Sequence, residues 1–289
     1  MSGAAGSTAG RETVACNLCG GHETRPFTRR QGYDVVRCAA CSLVYVNPRP
    51  DAAFLHRHYN SDESSRVQYY LDVEAADRRS FAVMLDVLER ARPQRGDLLD
   101  VGPNVGTLLD LARERGWRGR GVELNAEAAR LCRERRGLDV EAGALEAGRF
   151  PAAGFDALTL TDVIEHLPDP LRVLRVAAET LRPEGLLLVS TPDISGWAAR
   201  ALQVKPEEHL YYFTPDTLSR LLARAGFETL ECRPFDRWHN LTAMTHSTTC
   251  GGLLPRLGPL FNLARRVLGD VVVRLPLREN LLALARRTG

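Results

Sequence analysis

The chain has 289 residues, of which 44% are hydrophobic and 26% charged, and its formal net charge is +2 at pH 7. This length exceeds one small domain, and the ordinary apolar content allows a sizeable buried core. The net charge is close to zero and gives no electrostatic reason to expect nucleic acid as a partner. No apolar run reaches 18 residues, and the start lacks the apolar core of a signal peptide. We therefore expect no transmembrane segment, a disordered tail over residues 1–13 and a cytoplasmic location.

Four cysteines near the N-terminus form two pairs with the spacing C-x2-C-x18-C-x2-C. Cys16 and Cys19 lie in CNLC, and Cys38 and Cys41 lie in CAAC. Two residues between thiolates let one tight turn present both sulfurs to a tetrahedral ion, as in four-thiolate zinc sites. Such a closed shell leaves no position for water, so the predicted Zn²⁺ is structural and holds a ribbon over residues 14–46. Disulfides or independent thiols are the alternatives.

Residues 47–96 are predicted to form a helical linker or lid. The segment begins with two prolines in YVNPRPD, and AADRRSFAVMLDVLERA has helical periodicity. Tyr59, Tyr69 and Tyr70 lie in a polar stretch before that helix. These aromatic side chains either cover a ligand or dock helices onto the core.

From residue 97 to the end, short apolar segments alternate with helical patterns. This alternation predicts a mostly parallel sheet covered by helices on both faces, because such strands read as continuous apolar runs. The predicted strands span 97–101, 119–123, 138–141, 155–160, 185–190, 227–232 and 280–286, and the predicted helices span 106–115, 125–136, 170–181 and 215–225.

The stretch LLDVGPNVGTLLDLA has the outline of a strand, a glycine turn and a helix. Gly102 and Gly106 permit close backbone approach, and Asn104 is the non-glycine type best able to take a left-handed conformation. The spacing departs from that of dinucleotide sites, and Asp100 before the turn opposes a phosphate but suits a cation. At the end of the next strand, Glu123 sits where a carboxylate accepts hydrogen bonds from both ribose hydroxyls. A ribose without a pyrophosphate, beside acids that tolerate a sulfonium, fits S-adenosylmethionine (SAM).

Four successive motifs resemble those of class I SAM-dependent methyltransferases. They are LLDVGPNVGTLLDLA, GVELNAEAARLC, FDALTLTDVIEHLPDP and the segment that begins STPDISGWAARALQVKPEEHLYYF. The most similar subset includes the ubiquinone-type O-methyltransferases and the deoxysugar C-methyltransferases, and the latter also carry a ribbon with paired CxxC motifs. The resemblance covers roughly residues 14–236. It implies an α/β fold, a Rossmann-like seven-stranded sheet whose last strand is antiparallel, over residues 97–289.

The resemblance also implies which residues bind SAM at the carboxyl edge of the sheet. The glycine turn would wrap the amino-acid part, and Thr161 and Asp162 would face the methionine portion. Ala144 and Leu145 would flank adenine; many relatives have Asp where Ala144 stands, which shifts adenine recognition toward backbone groups or water. The full set is Asp100, Gly102, Asn104, Gly106, Glu123, Leu124, Ala144, Leu145, Thr161 and Asp162.

Two histidine-containing segments are candidates for the acceptor side. A methyl transfer needs an aligned nucleophile and, for a hydroxyl or acidic carbon, removal of a proton. In KPEEHLYYF, resemblance to the sugar C-methyltransferases makes His209 the base or an acceptor-positioning group, oriented by Glu208. In EHLPDP, the resemblance leads us to expect that His166 borders the acceptor and is a further catalytic candidate, and that Glu165 supports the loop. The alternative for His209 is a hydrogen bond to the backbone at the entry to a helix. The alternative for His166 is a capping or packing role.

The segment over residues 240–278 is apolar, with arginines at intervals, and interrupts the pattern before the last strand. We interpret it as a cap over the acceptor pocket or a homodimer contact, with an interfacial membrane helix as the third reading.

The predicted function is methyl transfer to oxygen or carbon of a small molecule of secondary metabolism, such as a natural product, sugar or quinone-like acceptor. No Gly-x-Ser-x-Gly elbow or phosphate-binding Gly-Lys-Ser/Thr stretch occurs, which excludes common hydrolase and kinase readings. One alternative is methylation of RNA, protein or a lipid-linked substrate, with ribbon arginines as a recognition surface. Another is a non-catalytic SAM-binding or zinc interaction protein.

Overall fold

The computed structural model describes residues 10–55, 63–243 and 269–289, together with residues 263 and 267. In chain order its elements are β1 (Arg11–Glu12), β2 (Thr24–Arg30), β3 (Tyr33–Cys38), β4 (Val44–Val46), β5 (Arg49–Pro50), α1 (Glu63–Asp72), α2 (Glu74–Ala91), β6 (Asp97–Val101), α3 (Thr107–Glu114), β7 (Arg118–Glu123), α4 (Ala126–Arg136), β8 (Asp139–Ala142), β9 (Phe155–Thr161), a 3₁₀ turn (Ile164–His166), α5 (Pro170–Thr180), β10 (Leu181–Pro192), α6 (Trp197–Leu202), β11 (Tyr211–Tyr212), α7 (Pro215–Arg224), β12 (Phe227–Phe235), β13 (Trp238–Asn240), β14 (Val272–Arg274) and β15 (Asn280–Arg287).

Seven of these strands form one sheet in the order β12, β15, β10, β9, β6, β7, β8. The pairs among β6 to β10 are parallel, and β15 is antiparallel to both β10 and β12. This confirms the expected Rossmann-like sheet with an antiparallel last strand. Since parallel strands end at the same edge, the loops after β6, β7, β9 and β10 meet at one side of the molecule.

The sheet is covered on both faces because neighbouring strand residues point to opposite sides. Leu98 packs with side chains of α2, α3 and α4, such as Met84 and Leu108, in one buried cluster. Leu99 packs in a second cluster that includes Leu174 of α5 and Leu221 of α7. The second cluster also contains ribbon residues, so the ribbon shares its core with this face of the sheet.

The N-terminal ribbon forms a separate four-stranded sheet in the order β11, β4, β3, β2. Its edge strand β11 comes from the second half of the chain, and Tyr211 pairs with Tyr45 while Tyr212 pairs with Val44. The ribbon is therefore joined through backbone hydrogen bonds to the segment that carries His209.

The predicted tail over residues 1–13 is too long, because Arg11–Glu12 pair antiparallel with Arg49–Pro50. Tyr69 and Tyr70 lie within α1. Residues 1–9, Tyr59 and most of the 240–278 segment (244–262, 264–266 and 268) lie outside the described residues. In the described part of that segment, β14 forms a two-stranded antiparallel sheet with β13, which ends where the segment begins. Among the helices described here, none has the length and apolar character needed to cross a membrane.

Candidate functional site

The glycine turn after β6 is built from three residues with positive φ. The φ angles are 76° at Gly102, 52° at Asn104 and 82° at Gly106. Asn104 thus takes the left-handed conformation that its residue type favours. A Cβ at Gly106 would lie 2.6 Å from Leu138 Cδ1 and 2.9 Å from Cys132 Sγ, so only glycine lets α3 start this close to α4.

The buried carboxylate of Glu123 holds this turn to the next strand end. Its Oε2 accepts a hydrogen bond from the Asn104 amide at 2.8 Å, and its Oε1 accepts one from the Asn125 amide at 2.8 Å. Burial raises the pKa of Glu123, and these backbone donors oppose the shift. Because each carboxylate oxygen has two lone pairs, both oxygens can still accept a hydrogen bond from a ribose hydroxyl.

Asp100, at the end of β6, carries a buried oxygen without a partner. Its Oδ1 accepts a hydrogen bond from Thr159 Oγ1 at 2.6 Å, whereas Oδ2 meets no hydrogen-bond donor in the described part of the chain. Burial raises the pKa of Asp100 to about 7, the Thr159 hydrogen bond opposes this, and the charge of Glu123 adds to it. An unpartnered buried oxygen is costly, so this position fits a cationic ligand group such as the ammonium of SAM.

The remaining predicted cofactor residues lie at the same edge with different exposure. Leu124 is 57% exposed and Ala144 is also exposed, which leaves an open apolar surface beside Glu123. Leu145 packs its side chain into the core instead. Asp162 follows β9 with a φ of 54°, and its Oδ1 accepts a hydrogen bond from Ser190 Oγ at 3.0 Å.

His166 and His209 meet edge to face, with ring centroids 4.8 Å apart. Nδ1 of His209 lies 2.8 Å from the Gln203 carbonyl oxygen, and Nδ1 of His166 lies 2.9 Å from that of Glu208. A carbonyl oxygen can only accept, so both Nδ1 atoms are donors and both Nε2 atoms keep a lone pair. Burial, and then the charges of His166 and Lys205, hold the pKa of His209 well below its usual value. His209 therefore stays neutral and is a weak base.

Glu165 completes this buried cluster. Its Oε2 accepts a hydrogen bond from Thr191 Oγ1 at 2.9 Å, and its Oε1 lies 3.9 Å from His166 Nε2. Burial raises the pKa of Glu165 to about 7, although its own backbone amide and Thr191 oppose the shift. Ligand-type atoms of Glu165, His166 and His209 all lie within 4.8 Å of one another, so the three residues could hold a divalent cation.

The four N-terminal cysteines are free thiols whose sulfurs converge. Cys16 and Cys41 Sγ are 3.3 Å apart, Cys19 and Cys38 Sγ are 3.5 Å apart, and all four lie within 4.8 Å of one another. A tetrahedral zinc with Zn–S bonds of about 2.3 Å places its sulfurs roughly 3.8 Å apart, so the cluster fits Zn²⁺. The four thiols fill that coordination shell.

Two arginines form contacts that were not foreseen from the sequence. Arg237, just after β12, forms an ion pair with Asp162 and another with Asp77 of α2, the latter at 2.7 Å. Arg49 of β5 donates hydrogen bonds to the hydroxyl of Tyr211 at 3.0 Å and to the Pro168 carbonyl at 2.6 Å. Both arginines bridge segments far apart in the sequence, and neither lies in a recognisable motif.

Comparison with known families gives a match to the methyltransferase domain over residues 50–232. Among curated proteins, the chain is 29% identical over 151 residues to the ubiquinone biosynthesis O-methyltransferase of Idiomarina loihiensis, covering 46% of this chain and 62% of that protein. It is 30% identical over 161 residues to the enzyme of the same name from Dinoroseobacter shibae, covering 50% and 65%. The matched stretch thus spans less than two thirds of these relatives.

Solved structures share the fold at low identity. A SAM-dependent methyltransferase from Thermotoga maritima aligns with a TM-score of 0.52 at 19% identity, covering 82% of this chain and all of that one. The YcgJ protein from Bacillus subtilis aligns with a TM-score of 0.51 at 16% identity, covering 73% and 99%. At these identities the comparison establishes the fold alone.

Proposed function

The chain belongs to the methyltransferase domain family, with the sheet of the class I SAM-dependent enzymes, and from this premise we propose that it transfers a methyl group from SAM to oxygen or carbon of a small molecule. The observation that carries the proposal is the arrangement of side chains at the carboxyl ends of β6 and β7. There the Glu123 carboxylate can accept two ribose hydroxyls, and the unpartnered Asp100 Oδ2 suits a cation. SAM supplies an electrophilic methyl group on a sulfonium, so the leaving group needs no protonation.

On this proposal the chain's own residues align the acceptor. His166 and His209 hold their rings by Nδ1–H bonds to backbone carbonyls, and in the neutral His209 the Nε2 lone pair can accept a hydrogen bond from an acceptor hydroxyl. Their fixed orientation supports a role in bringing the nucleophile into line, a contribution worth several orders of magnitude in rate. Glu208 supports His166 through its carbonyl, and Glu165 supports the loop through Thr191 and the Leu210 amide.

The acceptor is proposed to be a small molecule, in keeping with the names of the curated relatives. Names at this identity do not extend to a substrate, so a quinone-like phenol, a sugar and another natural product are equal candidates. The ribbon would contribute structure, with Zn²⁺ held by its four thiolates, and not chemistry.

The test has two stages with separate readouts. Calorimetry with S-adenosylhomocysteine, the demethylated product, should show saturable binding to the zinc-loaded protein. Incubation with SAM labelled in its methyl group and the small-molecule fraction of cells carrying the gene should then give a labelled product in the mass spectrum. Binding without any labelled product would favour a non-catalytic SAM-binding protein, and absence of binding would overturn the proposal.

A further inference from the structure

The half-buried His239 and the buried Glu279 form a close pair at the same edge of the sheet, outside the residues assigned so far. His239 Nε2 lies 2.8 Å from Glu279 Oε1, and their side chains are 23% and 4% exposed. Both atoms are buried, and neither makes a well-aligned hydrogen bond among the residues described, so the two side chains face each other as a close charged pair. A carboxylate that faces one imidazole nitrogen fixes the tautomer and the orientation of the ring.

The fold brings these two residues together from distant parts of the chain. His239 lies in β13, directly after β12, and Glu279 directly precedes β15. The first residue of β15, Asn280, pairs with Pro192 at the end of β10 and with Phe235 at the end of β12. The pair therefore lies at the carboxyl edge of the parallel strands, where ligands bind in sheets of this kind.

Hydrogen bonds connect this pair to the acceptor side of the site. Gln203 donates its side-chain amide to Glu279 Oε2 at 3.2 Å, and its backbone carbonyl accepts the hydrogen bond from His209 Nδ1. Two residues before His239, Arg237 contacts Asp162 at the end of β9. His239 is thus tied to the acceptor-side histidine through Gln203 and follows a residue that touches the predicted cofactor edge.

The Glu279 carboxylate carries a negative charge beside the ring. Burial raises the pKa of Glu279, but the close approach and charge of His239, followed by Gln203 and Arg237, outweigh it, so the pKa is lowered and Glu279 is ionised at neutral pH. Asp77 of α2 also interacts with His239. The charges of Asp77 and Glu279 therefore both act on the ring. A carboxylate 2.8 Å from Nε2 favours a proton on that nitrogen, which leaves Nδ1 as the nitrogen that can accept a proton.

We propose that His239, oriented by Glu279, is the general base of the reaction and that His209 positions the acceptor. This rests on the proposed methyl transfer. The acceptor's X–H bond breaks and its proton passes to His239 Nδ1. The electron pair left on X forms the bond to the methyl carbon as the carbon–sulfur bond breaks, and that bond's electrons remain on sulfur. The imidazolium, stabilised by Glu279, then returns its proton to water.

The first test measures the ring itself and needs no acceptor. Nitrogen-15 NMR of the histidine side chains should show His239 as the Nε2–H tautomer when neutral, because the carboxylate 2.8 Å away favours a proton on the nitrogen that faces it. A His239 with its neutral proton on Nδ1 would overturn the proposal.

The second test uses turnover of labelled SAM on the extract fraction described above. His239→Gln should lower kcat by about 100-fold or more, the usual contribution of a positioned base, while affinity for S-adenosylhomocysteine changes less than about two-fold. Glu279→Gln should move the acidic limb of the kcat/KM profile to lower pH, a shift that a merely structural role would not produce. His22→Gln, the same change at an exposed ribbon histidine, is the matched control.

The outcomes separate the two proposals. If the wild type binds S-adenosylhomocysteine and turns over, but a folded His239→Gln variant turns over equally fast, the base assignment fails and methyl transfer stands. If the wild type does not bind S-adenosylhomocysteine, the proposed function fails and the base assignment falls with it.

Discussion

Replacing Glu123 with glutamine tests the ribose assignment most directly. In the structure each carboxylate oxygen accepts one backbone amide at 2.8 Å and retains a lone pair for one hydroxyl. Glutamine keeps one acceptor oxygen but turns an NH2 group toward the other amide and the other hydroxyl. A hydrogen bond to a charged group contributes about 1.5–3 kcal/mol, so loss of one ligand contact should weaken binding by roughly 10- to 150-fold.

The assay is calorimetry with S-adenosylhomocysteine at 25 °C, accompanied by thermal melting to establish that the variant is folded. Glu127→Gln is the matched control, because Glu127 lies in the first turn of α4, is half-buried and pairs with Arg130. The control should bind as the wild type does. An affinity of folded Glu123→Gln within about two-fold of the wild type would refute the ribose assignment.

Three further predictions concern the turn, the metal and pH. Gly106→Ala should lower the free energy of unfolding by about 2–5 kcal/mol, because the added Cβ is strained at a positive φ and lies 2.6 Å from Leu138 Cδ1. Gly116 has a similar φ but no atom near the added Cβ, so Gly116→Ala should lower the free energy of unfolding by less. Urea denaturation of both variants measures the difference. Zinc removal by a chelator, or Cys16→Ser, should speed amide hydrogen exchange at Tyr211, because β11 pairs with the ribbon; unchanged exchange would contradict that coupling. Burial raises the pKa of Asp100 to about 7 in the folded protein, compared with about 3.9 in the unfolded chain. The contribution of Asp100 to the free energy of unfolding is therefore fully present below about pH 4 and is lost as the pH rises through 7. A bound cation favours the ionised form, so SAM binding at pH 6 should release a proton that Asp100→Asn does not release, measured by calorimetry in buffers of different ionisation enthalpy.

The sheet could be predicted from the sequence because its strands are buried on both faces. Residues 185–190 read as one apolar run, and the structure places them inside β10, which extends further at both ends. Asn104 and Glu123 could be singled out because a left-handed turn and a strand-end carboxylate are local patterns. Such features depend on a few neighbouring residues, which is what a sequence displays.

The contacts around the acceptor side depend on residues far apart in the chain and left no such signal. β11 is two residues long, too short to show periodicity, and its partner β4 lies more than 160 residues earlier. The ion pair of Arg237 with Asp162 and the facing of His239 and Glu279 likewise arise only when the sheet edge is assembled. Arginine, aspartate, histidine and glutamate are common on protein surfaces, so their presence in the sequence did not indicate these contacts.

The position of the ribbon argues against its being a free recognition module. A segment of about 30 residues cannot bury enough apolar surface to fold alone, and here its zinc-proximal residues share a core with α5 and α7. Polar contacts fix the same docking: the Asn17 side chain accepts a hydrogen bond from the Leu171 amide at the start of α5, and Arg220 of α7 donates one to the Cys41 carbonyl. Because β11 begins two residues after His209 and adds to the ribbon sheet, the ribbon with its four-cysteine cluster supports the strand next to this histidine. A mobile ribbon would release that strand, so we infer that the ribbon is part of the scaffold of the proposed acceptor site.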